Sequence, residues 1–365
     1  MIVGGKNVHF ILRWFGEKDD SVSLSQIKQI PIISGIAGTL NEISVGEVWP
    51  IEKIEKFKNQ VKNEGLTLEV VESVNVHEDI KAGLPSRDYY IENYIKTIEN
   101  LSKVGIKVIC YNFMPIFDWV RSDLYHQLPD GSYSMAYDHE KINNIFPKQL
   151  IQEVESGAKG FSLPGWEPEK LKNLQQLFEA FSDIDEEKLF HNLEYFLKSI
   201  IPVCEKVGIK MAIHPDDPPW PIFGLPRIVS SKEQLEKIIN IVDSPSNTLA
   251  ICSGSLGANP KNSVPDIIRQ FGKQGKISFV HVRNIKITDY KKFHEVSHFS
   301  KEGSLDIFEI MKALHETNFK GYLRPDHGRL IWNEKSRPGY GLYDRALGVS
   351  YLYGIWESLD KIKKG

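Results

Sequence analysis

Four short apolar runs in the second half of the chain each break off at a residue able to bind a metal ion. This recurrence constrains the fold more than any other feature. Met211-Ala212-Ile213 stops at His214, TLAIC stops at Cys252, ISFVH stops at His281, and GYLRPD stops at Asp326 with His327 next. Runs apolar at every position read as strands buried on both faces, the habit of parallel sheets. Pro215 and the four prolines between it and Arg227 forbid a helix directly after the first run, so His214 sits where a strand gives way to a loop. The four residues are separated by 38, 29 and 45 positions, each interval long enough for one helix and its loops. One histidine at a strand end is most often structural. Four successive strands bringing His, Cys, His and Asp to one rim are poorly explained by chance.

The alternation extends through the whole chain. Further strand candidates are HFILRWF (9–15), SGIAGTL (34–40), LTLEVVES (66–73) and KVICYNFM (107–114). Helical patterns occupy 50–64, 87–104, 186–207, 231–242, 263–273, 304–317 and 343–361. Pro50 suits a first helical turn, and Gly65 and Gly208 suit C-terminal caps. Strand and helix repeated eight times imply an α/β chain closed as a (β/α)8 TIM barrel over residues 1–365, with a doubly wound open sheet as the alternative. Chemistry in either architecture lies at the carboxyl ends of the strands.

One interval breaks the pattern. From Pro115 to about Asp185 the chain runs far beyond the few residues usual for a loop after a strand. The 115–185 stretch is expected to be an insertion after strand four, either a surface excursion with some helix of its own or a lid over the rim. Trp119, Arg121, Tyr125 and His126 are of the types that anchor interfaces, so they are expected to reach over this rim or a neighbouring subunit's. A homo-oligomer, dimer or larger, is the expected working form.

A formal charge of −3 gives no reason to expect nucleic acid or an anionic membrane as partner, and no apolar run approaches the length of a bilayer span. The N-terminus lacks the pattern of a secretory signal, and its first eight residues read as a leader outside the fold. Three cysteines cannot all pair, which suits a reducing, cytoplasmic setting. Cys110 and Cys204 read as core residues, leaving Cys252 alone in ligand-type company.

His214, Cys252, His281 and Asp326 form a mixed nitrogen, sulfur and oxygen set. A thiolate argues against Mg2+ or Ca2+, and four protein donors on Zn2+ would make a closed structural site. Ions that take five or six ligands, Fe2+ or Mn2+, would keep room for substrate oxygens. Arg13, Asn112, Asp118, Arg283, Asn284 and Arg324 also end strands, either as surface-paired rim residues or as substrate contacts. Arginines bind carboxylates through two hydrogen bonds, so Arg13, Arg283 and Arg324 favour an acidic sugar over a neutral one, with Asn112 beside them. Arg283 shares a sheet face with His281, two residues earlier, unless it pairs with Asp216 or Asp217 instead.

At these residues the chain resembles the mannonate dehydratase family, whose barrel is similar to that of xylose isomerase. IHPDDPPWPIFGLPRI, CSGSLGANPKN, HVRN, LRPDHGR and PGYGLYDRALG carry the resemblance, with RWFG, VESVNVHEDIK, CYNFMPIFDWVRSDLYHQLPDG and LPGW in the first half. The residues before RWFG and the 135–165 stretch look less family-like. The resemblance implies dehydration of D-mannonate to 2-keto-3-deoxy-D-gluconate in hexuronate breakdown, with Fe2+ or Mn2+ held by His214, Cys252, His281 and Asp326. His327 and Tyr340 are the candidates for moving protons, and Asp326 could combine that role with ligation. The rival readings are a metal-dependent sugar isomerase or epimerase on the same barrel, which Cys252 speaks against, and a non-catalytic barrel with structural Zn2+.

Overall fold

The computed structural model describes residues 8–143 and 173–364. Eight parallel strands close into a barrel: β1 (Val8–Arg13), β2 (Gly35–Gly38), β3 (Thr67–Glu72), β4 (Val108–Tyr111), β7 (Lys210–Ile213), β8 (Asn247–Cys252), β9 (Ile277–His281) and β12 (Gly321–Arg324). Neighbours in the barrel follow chain order, and β12 returns to pair with β1, Val8 opposite Gly321 and Phe10 opposite Leu323. Closure leaves no barrel edge, so the open-sheet alternative does not hold.

The helices follow the apolar periodicity. Glu186–Val207 buries Leu189, Leu193, Phe196, Leu197, Ile200, Ile201 and Cys204, one stripe at three- and four-residue spacing. Asp185 caps its first turn by accepting from the Lys188 amide at 2.8 Å, and Gly208 ends it at φ 74°. Pro50 stands one position outside the Ile51–Asn63 helix, at its N-cap.

The barrel interior explains the pocket above it. Its packed layer consists of Ile11, Ala37, Val70, Val108, Cys110, Ala212, Ala250, Phe279 and Tyr322, with every barrel strand contributing. Side chains two residues further along a strand face the same side. Arg13, Glu72, Asn112, His214, Cys252, His281 and Arg324 each stand two residues beyond one of these positions, which turns them inward at the mouth.

The insertion carries strands that its sequence did not announce. Its described part holds a hairpin, β5 (Asp123–Gln127) and β6 (Tyr133–Asp138). A second hairpin follows β9, made of β10 (Asn284–Asp289) and β11 (Lys292–Val296), where no strand was expected. The two join antiparallel into one sheet of order β10-β11-β6-β5. Tyr137 stacks on Phe293 at 5.5 Å between ring centres, and Trp220 donates its indole N–H to the Tyr137 hydroxyl. Expectations for 144–172, including most of the 135–165 stretch, fall outside the described residues. Among the described residues, no helix is long and apolar enough to cross a membrane.

Candidate active site

Three of the four expected ligands converge. His214, Cys252 and His281 offer ligand atoms that all lie within 4.8 Å of one another. Asp326 stands beside them, with Oδ2 3.3 Å from Cys252 Sγ and Oδ1 3.8 Å from His281 Nδ1. It follows β12 at φ 55°, a conformation that aspartate tolerates better than most residues.

Whether these residues suit a metal ion can be read from their hydrogen bonds. His214 Nδ1 lies 2.7 Å from the Pro215 carbonyl, which can only accept, so the hydrogen is on Nδ1 and the Nε2 lone pair is bare. That lone pair faces His281 Nδ1 at 3.0 Å. Two nitrogen donors about 2.1 Å from a shared ion, at right angles, stand about 3.0 Å apart. Burial lowers the pKa of both histidines, keeping them neutral as ligation requires. Burial and then Asp326 push the Cys252 thiol up to about 12, a proton that a divalent ion would displace. The donor set fits a soft-to-borderline divalent ion.

Around it the pocket is lined by Arg13, Asn112, Arg283, Arg324, His327 and Tyr340, with Glu72 and Asp217. Arg324 donates to Glu72 Oε1 at 2.7 Å and forms an ion pair with Asp326 Oδ1 at 2.8 Å. Asn112 donates to Asp118 at 3.1 Å. Arg13 differs: its Nη1 bonds only carbonyls, Trp14 O at 2.6 Å and Ala37 O at 3.3 Å, and no carboxylate among the described residues lies within ion-pair distance of it. Burial, partly countered by Glu72, lowers its pKa to about 10. Tyr340 Oη lies 3.0 Å from His327 Nε2, and burial keeps the phenol protonated well above its usual value. Gly339, at φ 78°, makes the turn that presents Tyr340.

A family model described as D-mannonate dehydratase (UxuA) matches residues 8–365. The chain belongs to the D-mannonate dehydratase family. Its relatives include a mannonate dehydratase of Thermotoga maritima, 60% identical over 354 residues that cover 97% of this chain and 98% of the relative. Another, from Geobacillus thermodenitrificans, is 61% identical over 352 residues, covering 96% of this chain and 95% of the relative. Among solved structures, mannonate dehydratase from Streptococcus suis serotype 2 superposes with a TM-score of 0.89 at 42% identity, covering 98% of this chain and 96% of that one. The D-mannonate dehydratase family is one of hydro-lyases, enzymes that remove water by cleaving a carbon–oxygen bond.

In this member of the D-mannonate dehydratase family, several of the expected contact residues are bonded to groups of the chain itself. Arg283 lines the pocket, but its guanidinium is engaged by Asp217 Oδ2 at 2.7 Å, Asp326 Oδ2 at 3.3 Å and Glu295 Oε1 at 3.4 Å. It lies across Gly254, where a Cβ would collide with its Nε, so the glycine of CSGS makes the path possible. Asn284 anchors the β10 hairpin through the Phe299 carbonyl and the Leu305 amide. Arg121 is buried, bonded to both oxygens of Asp217 at 2.9 Å and to Glu295 at 2.9 Å, within this same chain. Trp119 lines the pocket and packs its ring 6.0 Å from that of His327. Tyr125 packs against the apolar cluster that includes Tyr137, Trp220 and Phe293, and the His126 ring lies 5.3 Å from that of His294.

Two carboxylates went unnoticed in the sequence. Glu72 ends β3 and faces His281 Nε2 at 3.6 Å, a position the strand-end rule already marked. Glu295 arrives on β11 and meets His327 Nδ1 at 2.7 Å. Its only signal was the alternation in IKITDYKKFHEV, read across a hairpin turn.

Proposed function

We propose that this chain dehydrates D-mannonate to 2-keto-3-deoxy-D-gluconate, within hexuronate breakdown, using Fe2+ or Mn2+ held by His214, Cys252, His281 and Asp326. The observation that carries the reading is that His214, grouped with Cys252 and His281, lines one pocket together with Asp326, the Arg13 guanidinium and the hydrogen-bonded Tyr340–His327 pair. The dehydration makes three demands: hold a carboxylate, remove the C2 proton, and protonate the departing C3 hydroxyl.

Arg13 answers the first. It is a buried cation bonded only to carbonyls, and a sugar-acid carboxylate supplies the partner it lacks among the described residues. Tyr340 and His327 answer the other two. A proton taken from C2 can pass into this hydrogen-bonded pair and return to the hydroxyl on C3, so the pair ends the reaction as it began and water leaves. When bound, the divalent ion would supply a Lewis acid beside the substrate carboxylate. Four protein donors leave substrate positions only on an ion of higher coordination number, which favours Fe2+ or Mn2+ over Zn2+.

The exposed Trp332, Tyr343 and Leu347 are the kind of apolar surface that subunit contacts cover, which fits a homo-oligomer. The three free cysteines, all buried, suit a reducing cytoplasm.

The test is metal-stripped protein reloaded with Fe2+, Mn2+, Mg2+ or Zn2+ and assayed for 2-keto acid release from D-mannonate. Release with Fe2+ or Mn2+ is expected. Cys252→Ser is expected to lower metal content and turnover together, with the fold intact. No keto acid with any of the four ions would end the reading, and full metal occupancy in Cys252→Ser would remove the thiol from the ligand set.

A further inference from the structure

His327 has one ring nitrogen with two claimants. Nδ1 lies 2.7 Å from Glu295 Oε1 and 2.7 Å from Arg283 Nη1. The claims conflict, because a carboxylate only accepts hydrogen bonds and a guanidinium only donates them. If Nδ1 carries the hydrogen it satisfies Glu295; if it is bare it satisfies Arg283.

The surroundings favour Glu295. Arg283 Nη1 has other acceptors nearby, Asp326 Oδ2 at 3.3 Å and Glu295 itself at 3.4 Å, while its Nη2 is held by Asp217 at 2.7 Å. A bare lone pair aimed at a carboxylate that is 2% exposed, at 2.7 Å, would be repulsive with little water to screen it. Burial by itself would raise the Glu295 pKa, but His327, Arg283 and Arg121 hold it below the usual value and keep it an anion. The rest of the imidazole agrees, since a bare Nε2 can accept from the Tyr340 hydroxyl at 3.0 Å.

We propose that Glu295 fixes His327 with its hydrogen on Nδ1 and its lone pair on Nε2 toward Tyr340, which makes Glu295 a positioning residue for the dehydration. This rests on the reading of His327 and Tyr340 as the proton-moving pair. The carboxylate does not belong to the barrel. It stands on β11, whose neighbour β6 comes from the insertion after β4, and Arg121 of that insertion bonds the same oxygen at 2.9 Å. Two hairpins about 150 residues apart in sequence must therefore be paired before the histidine is oriented.

Ring-15N spectra of histidine-labelled protein loaded with diamagnetic Zn2+, with His327 assigned by its loss in His327→Gln, read the tautomer directly. Hydrogen on Nδ1 is expected in the wild-type protein. Glu295→Gln, whose amide can turn a donor toward the ring, is expected to move the hydrogen to Nε2. With Mn2+ loaded, the same variant is expected to lose on the order of 10²- to 10⁴-fold in kcat, the scale seen when the carboxylate behind a catalytic histidine becomes an amide. KM and metal content should stay near wild type, the melting temperature should fall because Arg121 and Arg283 lose a buried anionic partner, and Glu295→Asp should recover part of kcat. Hydrogen on Nε2 in the wild-type protein would overturn the inference and make Arg283 the partner of Nδ1. So would a Glu295→Gln kcat within about threefold of wild type, or a kcat loss no larger than the unfolded fraction at the assay temperature. The tautomer needs no turnover, so wild-type protein inert on D-mannonate would end the proposed function and leave the spectra to decide this point.

Discussion

Three buried arginines line the pocket, and their partners give them different work. Arg324 spans Glu72 and Asp326, and Arg283 spans Asp217, Asp326 and Glu295. Only Arg13 bonds carbonyls alone. Arg13→Gln is therefore expected to raise KM for D-mannonate by roughly ten- to a hundred-fold, the equivalent of one charge-assisted hydrogen bond, while the melting temperature barely moves. A KM within twofold of wild type in steady-state kinetics would show that the substrate carboxylate lies elsewhere. Arg283→Met is expected to behave in the opposite way. It strands buried carboxylates, at a cost of about 3–5 kcal/mol, which calorimetry would read as a lower melting temperature. A variant as stable as wild type would mean that Asp217 is adequately held by Arg121 alone. The sequence put Arg283 on the face of His281 and also admitted a pairing with Asp216 or Asp217. Spacing alone cannot choose between those outcomes, because the choice depends on a carboxylate 66 residues away.

At the scale of elements, the two hairpins share one ladder and one apolar cluster, which Leu124, Met135 and Tyr137 enter from one and Ile285 and Phe293 from the other. Tyr137, Phe293 and Trp220 form the contact between them, and the β11–β6 ladder pairs Lys292 with Asp138 and His294 with Ala136. Phe293→Ala is expected to loosen both hairpins together: amide exchange at 123–138 and at 284–296 should speed up in step while the barrel strands stay protected. Faster exchange in only one hairpin would show that the two are independent. The barrel itself was legible. Its helices fell within a few residues of their expected bounds because apolar stripes and caps are local signals, as with Asp185, Gly208 and the buried face of Glu186–Val207. The four candidate ligands stood out for a similar reason, since each closes a strand-like run. Glu72 was equally legible, two residues beyond the interior Val70, but a glutamate closing LTLEVVE looks like any solvated strand end. Glu295 was not legible, because its meaning lies in a pairing between distant hairpins.

Taken as a whole, the metal-free molecule should lose stability in mild acid. Burial depresses the pKa of His214 and His281, so unfolding lets each take up a proton once the pH falls below its unfolded value near 6.5. Stability from these two groups is full above that value and declines below it, by at most about 1.4 kcal/mol per pH unit for each. Asp216, raised by burial to about 6, works the other way and offsets part of the loss as it gains a proton in the folded state. Melting temperatures of metal-free protein are thus expected to fall between pH 7.5 and 5, before Asp217, Asp326 and Glu295, all depressed carboxylates, contribute their own losses at lower pH. A flat profile over that interval would mean the histidines are not buried as neutral rings.

The ladder between β1 and β12 also has a consequence in time. Arg13 ends the first barrel strand, the four metal-binding candidates lie between 214 and 326, and Arg345 of the last helix donates to the Arg13 carbonyl at 3.0 Å. A ribosome delivers β1 some 313 residues before the start of its partner. At typical elongation rates that wait is about 15 to 60 s, during which one edge of a growing parallel sheet stays unpaired. The residue proposed to grip the substrate is thus made with the first barrel strand and secured with the last, and the nascent chain must keep that edge from other strands until β12 has emerged.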